Sequence, residues 1–170
     1  MKKALLPLLI AALFYSDSVF MLFFSEQAFN EAYIPVPRFF FIGLLFMSVF
    51  FDRNTAIKYG FFFGFLFDMF YTGLLGAYFF FFPLIIYITS KLTKWLHSTL
   101  PVFFVIVLFD IALLEMMIYG LNVLVQRTAL SFEQFAYVRL LAVLILNSLF
   151  YIVFAIPLRN VFLRLKKVFD

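Results

Sequence analysis

The sequence predicts an all-α integral membrane protein with six membrane-crossing helices and both termini in the cytoplasm. Three observations carry that prediction. Hydrophobic residues make up 66% of the 170, charged residues only 13%, and the mean hydropathy is +1.11. A soluble domain of this size leaves too much of its surface in water to hide so much apolar area, so lipid is the solvent for most of the chain. Apolar runs recur along it, separated by short polar or Gly/Pro-containing breaks. With the amino terminus inside, Lys2, Lys3, Arg53, Lys58, Lys91, Lys94, Arg159, Arg164, Lys166 and Lys167 fall on the inner side. Only Arg38, Arg127 and Arg139 fall outside. That is the positive-inside asymmetry of a multi-pass protein.

The six spans run roughly Ala4–Phe24, Pro37–Phe51, Thr55–Tyr71, Leu74–Leu92, Leu100–Val125 and Phe135–Leu158. The first follows a positive Met1-Lys2-Lys3 start. Its apolar body of about 20 residues is longer than a signal-peptide core and has no small-residue cleavage site, so it reads as a membrane helix and not a removable leader. The linker Ser25–Val36 carries Glu26 and Glu31, and Pro37 suits the first turn of the second helix. The second span is short, which places its start earlier or its site in thinner bilayer. Tyr59 to Thr89 would extend roughly 46 Å as one helix, too long for a core of about 30 Å. Thr72-Gly73 and Gly76 supply the turn that divides it, and a re-entrant third segment stays open. The chain reads as one domain, 1–170, without internal repeats. From about 158 to 170 a basic amphipathic tail places Leu158, Val161, Phe162 and Leu165 on one face. Arg159, Arg164, Lys166 and Lys167 add charge for anionic lipid or for a cytoplasmic partner.

Asp68 sits inside the apolar stretch Tyr59–Tyr87. A carboxylate in lipid costs about 2.5 kcal/mol or more at mid-bilayer, so a chain that keeps one has a use for it. Gly60, Gly64 and Asp68 are four apart and share a helical face, small enough to let another helix approach closely. Three further acids lie within spans. Asp17, Asp68 and Glu115 fall in the outer half, at the level where Arg38 and Arg139 begin helices, while Asp110 lies near mid-membrane. Pairing Asp17 or Asp68 with Arg38, and Glu115 with Arg139, would offset the desolvation cost. A ligand or partner site in the outer half is the alternative use.

Catalytic readings find little support. Asp68 and Asp110 would be a protease dyad, but neither lies in a Gly-x-Gly-Asp sequence. His97 is the single histidine and there is no cysteine, too few ligands for zinc and none for a disulfide. No Ser or Thr has an activating base nearby in sequence, and no phosphate-binding glycine loop occurs. The aromatic surplus lacks a basic groove, which argues against nucleic acid. No cofactor is expected. A complete secondary transporter would need an internal inverted repeat, and none is visible.

The segments Val36-Pro37-Arg38-Phe39, Tyr59-Gly60, Gly64-Phe65-Leu66-Phe67-Asp68, Tyr71-Thr72, Leu75-Gly76 and Pro83 resemble the rod shape-determining MreD family. Leu114-Glu115 with Gly120 and the basic carboxyl end extend the likeness over essentially the whole chain. The resemblance implies a non-enzymatic membrane component of the bacterial cell-elongation machinery. Its implied direct partner is the single-span protein MreC, with MreB, RodA and a class B penicillin-binding protein as indirect ones. It also implies a fold similar to the substrate-binding component of energy-coupling-factor transporters, which makes a transport subunit the runner-up. Those components carry small residues four apart on their first helix, whereas the comparable register here is Ala4, Leu8, Ala12. On this reading Gly60 and Gly64 allow close helix approach, within the protein or to MreC. Asp68 fixes orientation through an arginine or backbone donors. Gly73 and Gly76 make the turn into the fourth helix, Tyr71 belongs to the same packing face, and Pro83 shapes that helix.

Overall fold

The computed structural model describes residues 4–24, 35–72, 75–96 and 99–169. Glu26, Glu31, Lys2, Lys3, Gly73 and His97 lie outside the described residues. The described chain is mostly helical, with no strand among the described residues. Its helices are α1 (Leu5–Phe24), α2 (Phe39–Phe50), α3 (Arg53–Phe67), α4 (Ala77–Trp95), α5 (Leu100–Leu124) and α6 (Phe132–Phe169). A π-helical turn, Asp68–Thr72, extends α3, and another, Phe135–Leu140, lies within α6. Three helices, α1, α5 and α6, are long and apolar enough to cross a membrane, and α2 is a shorter apolar helix.

The core is built around α2. Every residue from Phe39 to Ser48 is buried, because α1, α3, α4 and α6 all pack on it. A helix enclosed by protein does not meet the hydrocarbon directly, so its 12 residues need not match the bilayer thickness. Aromatic rings fill the space between helices. Phe40 and Phe82, which have no exposed surface, meet Phe63 and Phe67 of α3, and Phe46 packs edge-on against Phe103 of α5. Outward-facing positions are also apolar: Leu22, Phe23, Phe70, Ile152 and Val153 are all exposed, as a lipid-facing surface requires.

Helix ends follow local chemistry. Asp52 separates α2 from α3, and its carboxylate accepts from the Thr55 N–H at 2.7 Å and the Thr55 hydroxyl at 2.7 Å, the side-chain cap that orphan helix donors need. Gly76 precedes α4 at φ 108°, a left-handed conformation that costs glycine little. Ser131 and Gln134 form a reciprocal capping box at the start of α6.

The basic segment from about 158 is helical and continuous with the last helix. Helix α6 continues through Pro157 to Phe169, and Leu158, Phe162 and Leu165 are buried. The Phe169 ring meets Phe51 edge-on at 5.3 Å. The apolar face that the sequence assigns to lipid or to a cytoplasmic partner is therefore turned into the protein's own core. Arg159, Arg164, Lys166 and Lys167 line the exposed side.

Candidate functional site

A carboxylate between two guanidinium groups is the centre of the polar structure. Arg38, immediately before α2, donates from Nε and Nη2 to Glu115 Oε1 of α5 at 2.8 and 2.5 Å. Arg139 of α6 donates from Nε to the other oxygen, Oε2, at 2.9 Å. The Arg38 and Glu115 side chains are almost fully enclosed, whereas that of Arg139 is 28% exposed. Arg38 Nη2 also reaches the Tyr78 hydroxyl of α4 at 2.9 Å, and its guanidinium lies over the same ring. Low dielectric makes an unpaired charge here very costly, so the three charges depend on one another.

Asp17 and Asp68 act on backbone. Asp17 of α1 accepts from the Phe39 N–H at 2.9 Å, with the Phe40 N–H 3.4 Å from its oxygens, and so caps α2. Asp68, completely buried, accepts from the N–H groups of Gly76, Tyr78 and Phe79 at 2.8, 2.9 and 3.1 Å, and so caps α4. Both carboxylates sit where a helix has orphan donors and a positive dipole end. The expected pairing of Asp17 or Asp68 with Arg38 is not what forms. The Arg38 guanidinium is taken up by Glu115 and Tyr78, and the helix starts satisfy the two aspartates. Of the two ways sequence offered Asp68 to fix orientation, backbone donors are the one in place.

Asn147, in the middle of α6, closes the network. Its Oδ1 accepts from the Arg38 N–H at 2.8 Å, and its Nδ2 donates to the Val36 and Val143 carbonyls at 3.1 and 2.8 Å. Continuity then runs from Asp68 through Tyr78 and Arg38 to Glu115, Arg139 and Asn147, with Asp17 capping the residue next to Arg38. Helices α1, α4, α5 and α6 contribute polar side chains, and Arg38 and Asp68 come from the segments just before α2 and just after α3. Sequence reading passed over Tyr78 and Asn147; the signal for Asn147 was an amide inside an apolar run, the same signal that marked the acids.

The glycine face packs internally. A Cβ on Gly64 would lie 2.5 Å from the Tyr78 carbonyl oxygen, and one on Gly60 would lie 2.9 Å from Ile86 Cδ1 and 3.5 Å from Pro83 N. Helix α4 thus occupies the surface that a partner helix would have used. Pro83, buried on α4, lies against Gly60 and presents no N–H there. Gly43 of α2 does the same for α1, facing Leu13, and was not singled out from sequence. Tyr71 lies in the π-turn after α3.

Asp110 stands apart. Its Oδ2 accepts from the Thr89 hydroxyl at 2.7 Å, and Oδ1 has no hydrogen-bond partner among the described residues. Thr89 is eleven residues along α4 from Tyr78, roughly 16 Å, so the Asp68–Asp110 dyad is not assembled. No group of three or more potential metal ligands occurs among the described residues.

The family model for the rod shape-determining protein MreD matches residues 1–166. The chain is 35% identical over 167 residues to the rod shape-determining protein MreD of Bacillus subtilis (strain 168), covering 98% of this chain and 97% of that protein. No solved structure matches the chain significantly. With apolar helices fit to cross a membrane and a match along essentially its whole length, this chain is a membrane protein that belongs to the rod shape-determining MreD family.

Proposed function

We propose that the chain is a non-enzymatic, six-span membrane scaffold of the cell-elongation machinery, with both termini cytoplasmic, and that it binds MreC. Through MreC it helps couple MreB filaments inside to RodA and a class B penicillin-binding protein outside, sustaining lateral peptidoglycan synthesis and rod shape. The observation that carries this reading is the end-to-end family match. The polar network supports it: Asp17, Asp68 and Glu115 are each engaged in holding helices together, which suits a rigid platform. The basic stripe of Arg159, Arg164, Lys166 and Lys167 contributes attraction to anionic lipid on the cytoplasmic side.

Because Gly64 faces α4, a Gly64→Leu substitution disturbs the fold and cannot by itself locate a partner surface. The deciding experiment is detergent co-purification of the wild-type protein with the MreC of its own organism. A stable complex is the expected result. If MreC is absent from the eluate and a transporter ATPase module is recovered in its place, the scaffold reading gives way to a transport subunit.

A further inference from the structure

Asp110 is the acid within the spans that has neither an arginine nor a helix start to satisfy it. It stands midway along α5, a helix long and apolar enough to cross a membrane, and it is fully buried. A carboxylate with a single donor is poorly placed there. A charge taken out of water needs a counter-charge or several hydrogen bonds, and without them an acid keeps its proton.

The contact with Thr89 of α4 offers that proton a place. Thr89 Oγ1 lies 2.7 Å from Asp110 Oδ2 and 2.8 Å from the Ile85 carbonyl oxygen. A hydroxyl has one hydrogen to give and two lone pairs to receive with, so it cannot serve both oxygens as a full donor. Bonding back to a carbonyl four residues earlier is common for threonine inside a helix, and Thr93 does so to the Thr89 carbonyl at 2.8 Å. With the Thr89 hydrogen on Ile85, the hydrogen in the contact with Asp110 has to come from the carboxyl. Heavy-atom spacing is the same for either direction: an ionised Oδ2 accepts from Thr89, and a protonated one donates to it. The remaining oxygen agrees with the second case. Oδ1 has no partner among the described residues, which the carbonyl of an acid tolerates better than a charged oxygen does.

The ionisable groups on the helices around Asp110 are committed elsewhere or turned outward. On α5, Glu115 is held by Arg38 and Arg139. On α4, Tyr78 bonds Arg38, and Tyr87, Lys91 and Lys94 are exposed. On α6, Tyr151 donates to the Leu100 carbonyl, and Glu133, Tyr137 and the basic residues from Arg159 onward are exposed. Helix α2, which meets α5 through Phe46 and Phe103, carries no ionisable side chain.

We propose that Asp110 is a neutral carboxylic acid whose own proton bridges Oδ2 to Thr89 Oγ1. Asp110, Thr89 and the Ile85 carbonyl then form an uncharged latch that holds α5 to α4. Helix α5 is tied at Glu115 by charge and at Asp110 by a proton, and the second tie fails when that proton is lost.

The test is infrared difference spectroscopy on the purified protein in detergent at neutral pH, wild type minus Asp110→Asn. A neutral carboxyl absorbs at a C=O frequency well above those of carboxylates and amides, and such a band is expected for Asp110. Thr89→Val removes the acceptor of the acid proton and should shift the band to higher frequency, whereas Thr89→Ser keeps the hydroxyl and should leave it in place. If Asp110→Asn fails to fold, the shift between wild type and Thr89→Val decides alone. Raising the pH should abolish the band and, with it, lower the melting temperature of the wild type more than that of Asp110→Asn, whose amide has no proton to lose in this way. Carboxylate bands in place of the carboxyl band, a carboxyl band indifferent to Thr89→Val, or equal alkaline loss of stability in both proteins overturns the proposal. No partner protein enters the measurement, so its outcome is independent of the co-purification with MreC.

Discussion

Arg38 and Glu115 converge on a single oxygen: two guanidinium nitrogens meet Oε1, which leaves Oε2 to Arg139. The three charges form a chain in which the middle member holds both ends. Glu115→Gln should therefore strand two arginines at once, and Arg38→Met should strand a buried carboxylate. Each is expected to cost about 3–5 kcal/mol. The double variant Arg38→Met/Glu115→Leu should cost less than the sum, because it removes charge and partner together. Thermal stability in detergent, read by size-exclusion chromatography after heating, measures this. Simple additivity would mean that the pair is not coupled.

Asp68 uses both carboxylate oxygens on the start of α4. Asp68→Asn keeps one acceptor oxygen, and Asp68→Ala keeps none. Loss of stability should follow the order Ala greater than Asn, with Ala costing about 1–3 kcal/mol. The same order is expected in cells, scored as rounding of rods in a strain relying on the variant. Equal tolerance of both variants would show that the cap contributes nothing.

Gly64 and Gly43 differ in what surrounds them. An added Cβ at Gly64 meets backbone atoms of Tyr78 and Phe79, whereas one at Gly43 meets only the tip of the Leu13 side chain. Gly64→Ala should cost about 1–3 kcal/mol through overpacking, while Leu13 can turn aside for Gly43→Ala at a cost below about 1 kcal/mol. Melting temperatures of the two variants side by side check the contrast, and a reversed order refutes the α3–α4 contact.

Asp52 gives α3 an acid-sensitive start. The Thr55 hydroxyl, then its N–H, hold the Asp52 carboxyl below its ordinary value of 3.8. A depressed folded-state value means that the cap's contribution is complete above about pH 4 and is lost as pH falls through the lowered value. Hydrogen exchange in the first turn of α3 should accelerate in acid for the wild type. Asp52→Ala should exchange fast at every pH, at a cost near the lower end of the 0.5–2 kcal/mol range for a lost cap, because the group is exposed. A wild type whose exchange, corrected for intrinsic rate, ignores pH would refute the cap.

Much of the site's inventory was legible in sequence, because it depends on local properties. A carboxylate in an apolar run is conspicuous whatever surrounds it, and four-residue spacing alone puts Gly60, Gly64 and Asp68 on one face. Asp17, Arg38, Glu115 and Arg139 were recognisable as charged groups in or beside apolar spans for the same reason. The helix boundaries near Phe24, Phe50 and Leu124 also follow from apolar periodicity and polar breaks.

Pairing was decided by tertiary structure. Arg38 and Asn147 lie 109 residues apart, and no spacing rule brings them together; that required α2 to sit at the centre with α6 against it. The convergence of helix starts gave Asp17 and Asp68 backbone N–H groups as partners, leaving Arg38 to Glu115 and Tyr78. Packing of α4 against the glycine face, and of the α6 end against Phe51, closed two surfaces that sequence left open. Residue type and helical spacing alone determined which groups need a partner. Which partner each one meets depended on the order in which six helices enclose one another, since a buried charge is satisfied by whatever donor the fold brings within about 3 Å.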